Sequence, residues 1–333
     1  MRMQANADSH PAIVPRMDRA DRRTVPGSSR VLPRQVTIRE VGPRDGLQSE
    51  RPISPAERAA VVDQLARAGC RHIEAVSFVS ERLVPAMAGA GEVLALVTTR
   101  ETIRLSALVA NLRGAVAALD AGVDELAATI SASPIYNELN VHRSVAESLD
   151  QIEAICERAA RVGVPVDVIV SCAFGSPYEG DLPAAEVNDL CRRLREAGAV
   201  TATLADTTGM ATPRLVTELV DLTGPDVGLH LHDTRGTALL NAYAGLQAGV
   251  TRFDSAAGGF GGSPFAAGAG GNLGTEDLVA LLDDLGIISG VNLDAVADTA
   301  RVIASLVGHA VPSRVSAVGA RTRPRGSGDY APK

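Results

Sequence analysis

The chain has 333 residues, 46% of them hydrophobic and 21% charged, enough to bury a sizeable core and too apolar for a disordered polymer. A formal net charge of −7 argues against a nucleic-acid partner, since phosphate binding needs a positive field, and no apolar run is long enough to span a membrane. Trp is absent, with four Tyr and five Phe, so the interior has to be built from Ala, Val, Leu and Ile, as suits a parallel sheet sheathed by helices.

In chain order, residues 1–34 are Arg-rich, Pro-punctuated and without apolar periodicity, and read as a disordered extension. No apolar segment follows the first Arg, which argues against a signal peptide, and Asp8, Asp18 and Asp21 weigh against a mitochondrial transit peptide. From residue 36, β-like runs at 36–41, 72–77, 103–109, 123–130, 164–170, 200–205, 227–231 and 251–254 alternate with helical patterns. The helices are predicted at 57–68, 112–120, 145–161, 185–196, 214–222 and 237–248. Gly69, Gly122, Gly163, Gly198 and Gly249 each close a helical stretch and lead into a strand. Eight such alternations predict a (β/α)8 TIM barrel over residues 35–310, and the lack of GxGxxG after the first strand counts against a dinucleotide fold. A helical extension near 293–307 follows, then a polar tail over 311–333. The cysteines at 70, 156, 172 and 191 are scattered without a CxxC pair, which fits a reducing cytoplasm.

In such barrels the chemistry sits where strands run out into the following loops. Here those ends carry Arg44 and Asp45, Glu74, Ser171 and Cys172, Asp206, and His230 with His232, while the last strand opens into a loop holding Ser263 and Asn272. His230 and His232 stand two apart on a strand, so both imidazoles face one side and can share a metal; two core histidines bonded to carbonyls are the plainer alternative. Asp45 offers the same ion a hard anionic oxygen, and Arg44 beside it can hold a developing enolate or carboxylate. Nitrogen ligands combined with carboxylate and amide oxygens suit an octahedral Mg2+ or Mn2+ better than Zn2+, for no thiolate contributes. Asp206 can orient substrate or cap the helix that starts near Pro213, and Glu74 can bind Arg44 or move a proton. The glycine-rich stretch 258–271 lacks the Gly-Lys-Ser/Thr of a phosphate loop and is expected to act as a lid.

Several longer motifs occur in one order: Glu40-Val41-Gly42-Pro43-Arg44-Asp45-Gly46-Leu47-Gln48, Ser77-Phe78-Val79-Ser80, Val170-Ser171-Cys172-Ala173 and Pro177-Tyr178-Glu179-Gly180. His230-Leu231-His232-Asp233-Thr234 and Gly271-Asn272-Leu273-Gly274-Thr275-Glu276-Asp277 complete the set. With them the chain resembles the 3-hydroxy-3-methylglutaryl-CoA (HMG-CoA) lyase family of metal-dependent TIM-barrel lyases. The resemblance implies Asp45, His230, His232 and Asn272 as metal ligands, and Arg44, Glu74, Asp206, His230 and Ser263 as catalytic residues. It further implies an acyl-CoA substrate contacted by Arg44, Gln48, Ser171 and Asn140, cleaved to acetyl-CoA and a 3-oxo acid, in a homodimer or higher homo-oligomer. Related aldolases and Claisen-type acyl synthases, or a metal-binding pseudoenzyme, are the alternatives.

The chain departs from the family pattern in three places. Ser263 stands where the glycine loop usually bears a Cys, Asp167 replaces an Arg on strand five with the loss of a positive charge, and Glu138, Leu139 and His142 replace residues of the loop after strand four.

Overall fold

The aliphatic runs of the sequence close into a barrel of eight parallel strands, paired in sequence order with β8 returning to β1. The computed structural model describes residues 31–262 and 270–321. The strands are β1 (Thr37–Glu40), β2 (His72–Phe78), β3 (Arg104–Val109), β4 (Glu125–Ser131), β5 (Val166–Ser171), β6 (Thr201–Ala205), β7 (Gly228–His230) and β8 (Arg252–Ser255). No described helix is long and apolar enough to cross a membrane. Residues 1–30 of the expected extension, and 322–333 of the expected tail, lie outside the described residues. Leu32 and Arg34, assigned to the extension by composition, take part in the packing: Leu32 is buried, and the Arg34 carbonyl accepts a hydrogen bond from Ile288 N at 3.0 Å.

Most strands begin a residue or two later than their apolar runs, for a physical reason visible at the helix ends. Gly122 and Gly163 adopt φ of 77° and 72°, a left-handed turn that glycine enters without strain. The next residue then bonds back into the helix, Val123 N to Ala118 O at 3.4 Å and Val164 N to Ala159 O at 3.1 Å. These valines belong to helix caps rather than to the sheet. Two short helices, Ala90–Leu96 and Pro134–Val141, lie in stretches the periodicity leaves as loops. The second forms on end effects: Ser133 caps it by accepting from Tyr136 N, and Pro134 opens its first turn.

The main apolar core lies between the sheet and its helices. Inside the barrel the apolar contribution is a small cluster of Ala127, Ile169 and Ala205 with Leu108. The rest of the interior is strongly polar, because the alternation of β1, β2, β5, β7 and β8 turns Arg39, Glu74, Asp167, His230 and Asp254 inward. All five are buried.

Glu40, the next residue on β1, points the other way and ties the top of the barrel together. Its carboxylate accepts from Gly42 N at 2.8 Å, Ala257 N at 2.9 Å and Thr275 Oγ1 at 2.6 Å, and Thr275 also bonds Ser255 at 2.8 Å. Burial, acting against these bonds, pushes its pKa from 4.5 up to about 7. The folded state thus holds the Glu40 proton more tightly than the unfolded chain, so this group's contribution to stability is greatest below pH 4.5 and is lost as pH rises to about 7. Glu40→Gln keeps an oxygen for the two N–H groups and donates to Thr275. It should stay within about 1 kcal/mol of wild type and flatten this dependence in urea melts. Glu40→Ala strands two buried N–H groups and should cost about 2–6 kcal/mol. Equal stabilities for the Ala and Gln variants would contradict this role.

Candidate active site

At the carboxyl end of β1 the chain makes a single π-type turn, Gly42–Gly46. The Val41 carbonyl accepts from the N–H groups of Arg44, Asp45 and Gly46 at 3.1, 2.7 and 3.2 Å. Such turns recur at functional sites because they swing side chains out of helical register; here Arg44 and Asp45 are delivered into the barrel mouth, both buried. Opposite, His230 ends β7. His232 is fixed by an antiparallel bridge to Asn272, flanked by Leu273 N to Leu231 O and Asp233 N to Gly271 O, both 2.9 Å.

These elements bring His230 Nε2 within 3.1 Å of His232 Nε2, with Asp45 Oδ2 3.8 Å from the first and 3.9 Å from the second. Asn272 Nδ2 donates to Asp45 Oδ2 at 2.7 Å and to the Phe260 carbonyl at 3.0 Å. Among the described residues, Asp45, His230 and His232 form the group able to hold a metal ion. Two imidazole nitrogens and a carboxylate oxygen, all buried and converging, match the donor set of a divalent cation, and the Asn272 amide presents its Nδ2 to this cluster at Asp45. Asp45 is steadied on its other oxygen by Gln48 Nε2 at 2.8 Å and by Arg44 Nη1, while Arg44 Nε pairs with Glu74. Gln48, expected to touch substrate, is thus engaged with Asp45.

The electrostatics favour the ligating form of Asp45 and of His232, while His230 is drawn toward its protonated form. Burial opposes the charge of Asp45, but Arg44 and the two histidines outweigh it and hold the carboxyl well below the usual range. Burial, then the neighbouring His230, lowers the His232 pKa to about 4, so this imidazole is neutral at physiological pH. For His230, burial works against charge, yet hydrogen bonding to Asp254 and the carboxylate of Asp45 raise its pKa.

The other predicted residues fall on the same face with differing partners. Asp206 does not cap the helix Pro213–Thr223, a task done by Thr212. Its Oδ1 accepts from Ala211 N at 2.8 Å, its Oδ2 has no partner among the described residues, and burial drives its pKa to about 7. Ser171 is buried at the end of β5, and its carbonyl accepts from Ala132 N at 2.9 Å. Asn140 stands half-buried on the helix beyond β4 and makes no hydrogen bond to the cluster. Ser263 and half of the expected lid, residues 263–269, lie outside the described residues. Sequence reasoning missed Arg39 and Asp254 as part of the site. Arg39 bonds Asp254 through Nε at 2.9 Å and Nη2 at 2.7 Å, and Asp167 through Nη1 at 2.7 Å. Asp167 is therefore paired with a guanidinium from β1 that it shares with Asp254. The available signal was a charge at an inward position of an otherwise apolar strand.

The sequence model of the HMGL-like family matches residues 35–303. A Pseudomonas aeruginosa protein named 3-hydroxy-3-isohexenylglutaryl-CoA/hydroxymethylglutaryl-CoA lyase is 39% identical over 291 residues, 86% of this chain and 97% of its own. The crystal structure of the Bacillus subtilis HMG-CoA lyase aligns with a TM-score of 0.83 at 38% identity, covering 86% of this chain and 98% of that one. An Acinetobacter baumannii HMG-CoA lyase in complex with coenzyme A and 3-methylmalate aligns at 0.82 with 36% identity, over 88% and 98%.

Beside the site, Cys172 adopts φ of 55°, a left-handed conformation costly for a side chain with Cβ, and its N–H donates to Thr207 Oγ1 at 3.0 Å. Burial pushes its thiol up to about 12. Cys70, Cys156 and Cys191 are buried as well. All four thiols should react with a disulfide reagent at least about a hundredfold more slowly in the native protein than in guanidinium. Rapid labelling of Cys172 in the native state would contradict the geometry of this corner.

Proposed function

The chain belongs to the HMGL-like family, and on that premise we propose that it cleaves HMG-CoA, or a related 3-hydroxy-3-substituted acyl-CoA, to acetyl-CoA and a 3-oxo acid by a retro-Claisen reaction. The observation that carries this reading is the convergence of Asp45, His230 and His232 beside the buried guanidinium of Arg44 at the mouth of the barrel. Asp45, His230 and His232, with the amide oxygen of Asn272, would hold Mg2+ or Mn2+. The bound ion would supply Lewis-acid polarisation of the substrate's C3 hydroxyl oxygen.

The residues divide the remaining work. Asp206, with a pKa near neutrality, accepts the C3 hydroxyl proton. As C3–O becomes a carbonyl, the C2–C3 bond breaks and its electron pair passes into the thioester, forming an enolate. Arg44, held in place by Glu74 and Asp45, stabilises the negative enolate oxygen, and a proton delivered to C2 completes acetyl-CoA. Ser263 is the residue assigned to that delivery, as an alcohol in place of the thiol the resemblance leads one to expect. Ser171, Gln48 and Asn140 line the approach for the acyl-CoA. A reducing cytoplasm suits four unpaired thiols.

His232→Ala should weaken Mn2+ binding by more than the roughly 10–100-fold typical of losing a ligand's neighbour, abolish cleavage and leave the circular dichroism of the barrel intact. Unchanged Mn2+ affinity would remove His232 from the ligand set. Arg44→Gln should lower kcat by about 10²–10³ while KM moves far less. A rise in KM at constant kcat would reduce Arg44 to a substrate-binding group.

A further inference from the structure

We propose that Asp254 is the positioning residue of the metal centre: by accepting the Nδ1 proton of His230, it leaves that ring's Nε2 lone pair aimed at the cation. The inference rests on the metal-centre reading above and concerns a residue outside the ligand set.

The register of the sheet makes the contact. Asp254 on β8 is the partner of Arg39 on β1 and of His230 on β7. Partners on parallel strands face the same side, so the three side chains occupy one level of the barrel interior. Asp254 Oδ2 lies 3.1 Å from His230 Nδ1. The carboxylate cannot swing away, because Arg39 grips both its oxygens, Nε to Oδ1 at 2.9 Å and Nη2 to Oδ2 at 2.7 Å. Arg39 is itself fixed by Asp167, whose Oδ2 takes its Nη1 and the Thr203 hydroxyl, each at 2.7 Å.

Chemistry then selects the tautomer. A guanidinium does not deprotonate in proteins, and a carboxylate bound to it on both oxygens is an acceptor. The ring nitrogen facing Asp254 must therefore carry a hydrogen, and the opposite nitrogen of a neutral imidazole must carry the lone pair. That nitrogen is the one converging with His232 and Asp45. His232 is built differently: its Nδ1 is buried and has no partner among the described residues, so nothing there selects its tautomer. One imidazole is preset for ligation and the other is left adaptable.

Asp254→Asn keeps the shape and reverses the chemistry. In either orientation the amide N–H meets Arg39, at Nη2 if it replaces Oδ2 and at Nε if it replaces Oδ1. The doubly held carboxylate that fixes the hydrogen on His230 Nδ1 is then gone, and in the first orientation that hydrogen is driven to Nε2. The full-length variant should bind Mn2+ about 10–100-fold more weakly in electron paramagnetic resonance titrations. Nitrogen NMR of the imidazoles in the metal-free protein at about pH 8, with His230→Ala for assignment, should show the Nδ1–H tautomer at His230 in wild type and its loss in Asp254→Asn. Wild-type Mn2+ affinity in Asp254→Asn would overturn the proposal. So would an Nε2–H tautomer at His230 in the wild-type protein, a result that needs no variant to fold. Failure of the wild-type protein to bind Mn2+ would instead defeat the metal-centre reading, while the tautomer would still test what Asp254 imposes.

Discussion

One buried carboxylate, Asp254, is shared by a guanidinium from β1 and an imidazole from β7, and this shared contact sets the geometry of the barrel mouth. Removing charges from water is costly, and attraction between partners offsets that cost only where the geometry is good and the remaining valences are filled. Arg39 meets the condition by bonding two carboxylates from two strands; Asp167 meets it on Oδ2, which also accepts from Thr203, while its buried Oδ1 has no partner among the described residues. An apolar packing of similar volume would serve stability at least as well. What the charged arrangement adds is direction: donors and acceptors that hold Asp254 and the His230 ring in one orientation. The packing that stabilises the fold is placed elsewhere, between the sheet and its helices, where Ile73, Leu105, Leu126, Leu204 and Leu229 are fully buried.

A second layer of contacts, outside the barrel, holds the ligand-bearing loops from behind. Glu40 joins the start of the β1 turn to the segment after β8, and Glu276 accepts from Gly258 N at 2.9 Å. The chain returns across this corner after its last long helix, Leu293–Val307. Ser313 N donates to the Gly258 carbonyl at 2.9 Å, Val315 N to Asp277 at 2.8 Å, and His309 packs edge-on against Phe260 with ring centroids 5.3 Å apart. Phe260 in turn offers its carbonyl to Asn272. The stretch 311–318, read from the sequence as the start of a polar tail, thus buttresses the loop that carries Asn272. Side chains at a site gain precision when their supports are themselves fixed by hydrogen bonds.

Much of this was legible in the amino-acid order. β-like apolar runs separated by amphipathic stretches specify strand and helix alternation, and glycine at the helix ends marks five of the transitions. Apart from the two short helices missed at Ala90–Leu96 and Pro134–Val141, the errors lie at boundaries, where a valine that looks like strand completes a helix cap, as at Val123 and Val164. The site was legible where residue type and position at a strand end coincide, as for His230, His232, Asp45 and Arg44. It was illegible where meaning depends on a partner distant in sequence. Asp167 in isolation reads as a lost positive charge; its partner Arg39 lies 128 residues earlier, and only closure of the barrel brings them together. Gln48 carries a contact of the same kind: its amide is engaged with Asp45, a bond that its place at the mouth does not reveal. Spacing alone cannot tell a group that meets the substrate from one that holds a neighbour still.

The most direct measurement of the central claim is product identification by mass spectrometry after incubating the purified protein with HMG-CoA and Mg2+. The account predicts equimolar acetyl-CoA and acetoacetate, abolished by a chelator and restored by added Mg2+ or Mn2+. Intact thioester across HMG-CoA and its larger 3-substituted analogues, or free CoA released without carbon–carbon cleavage, would contradict it.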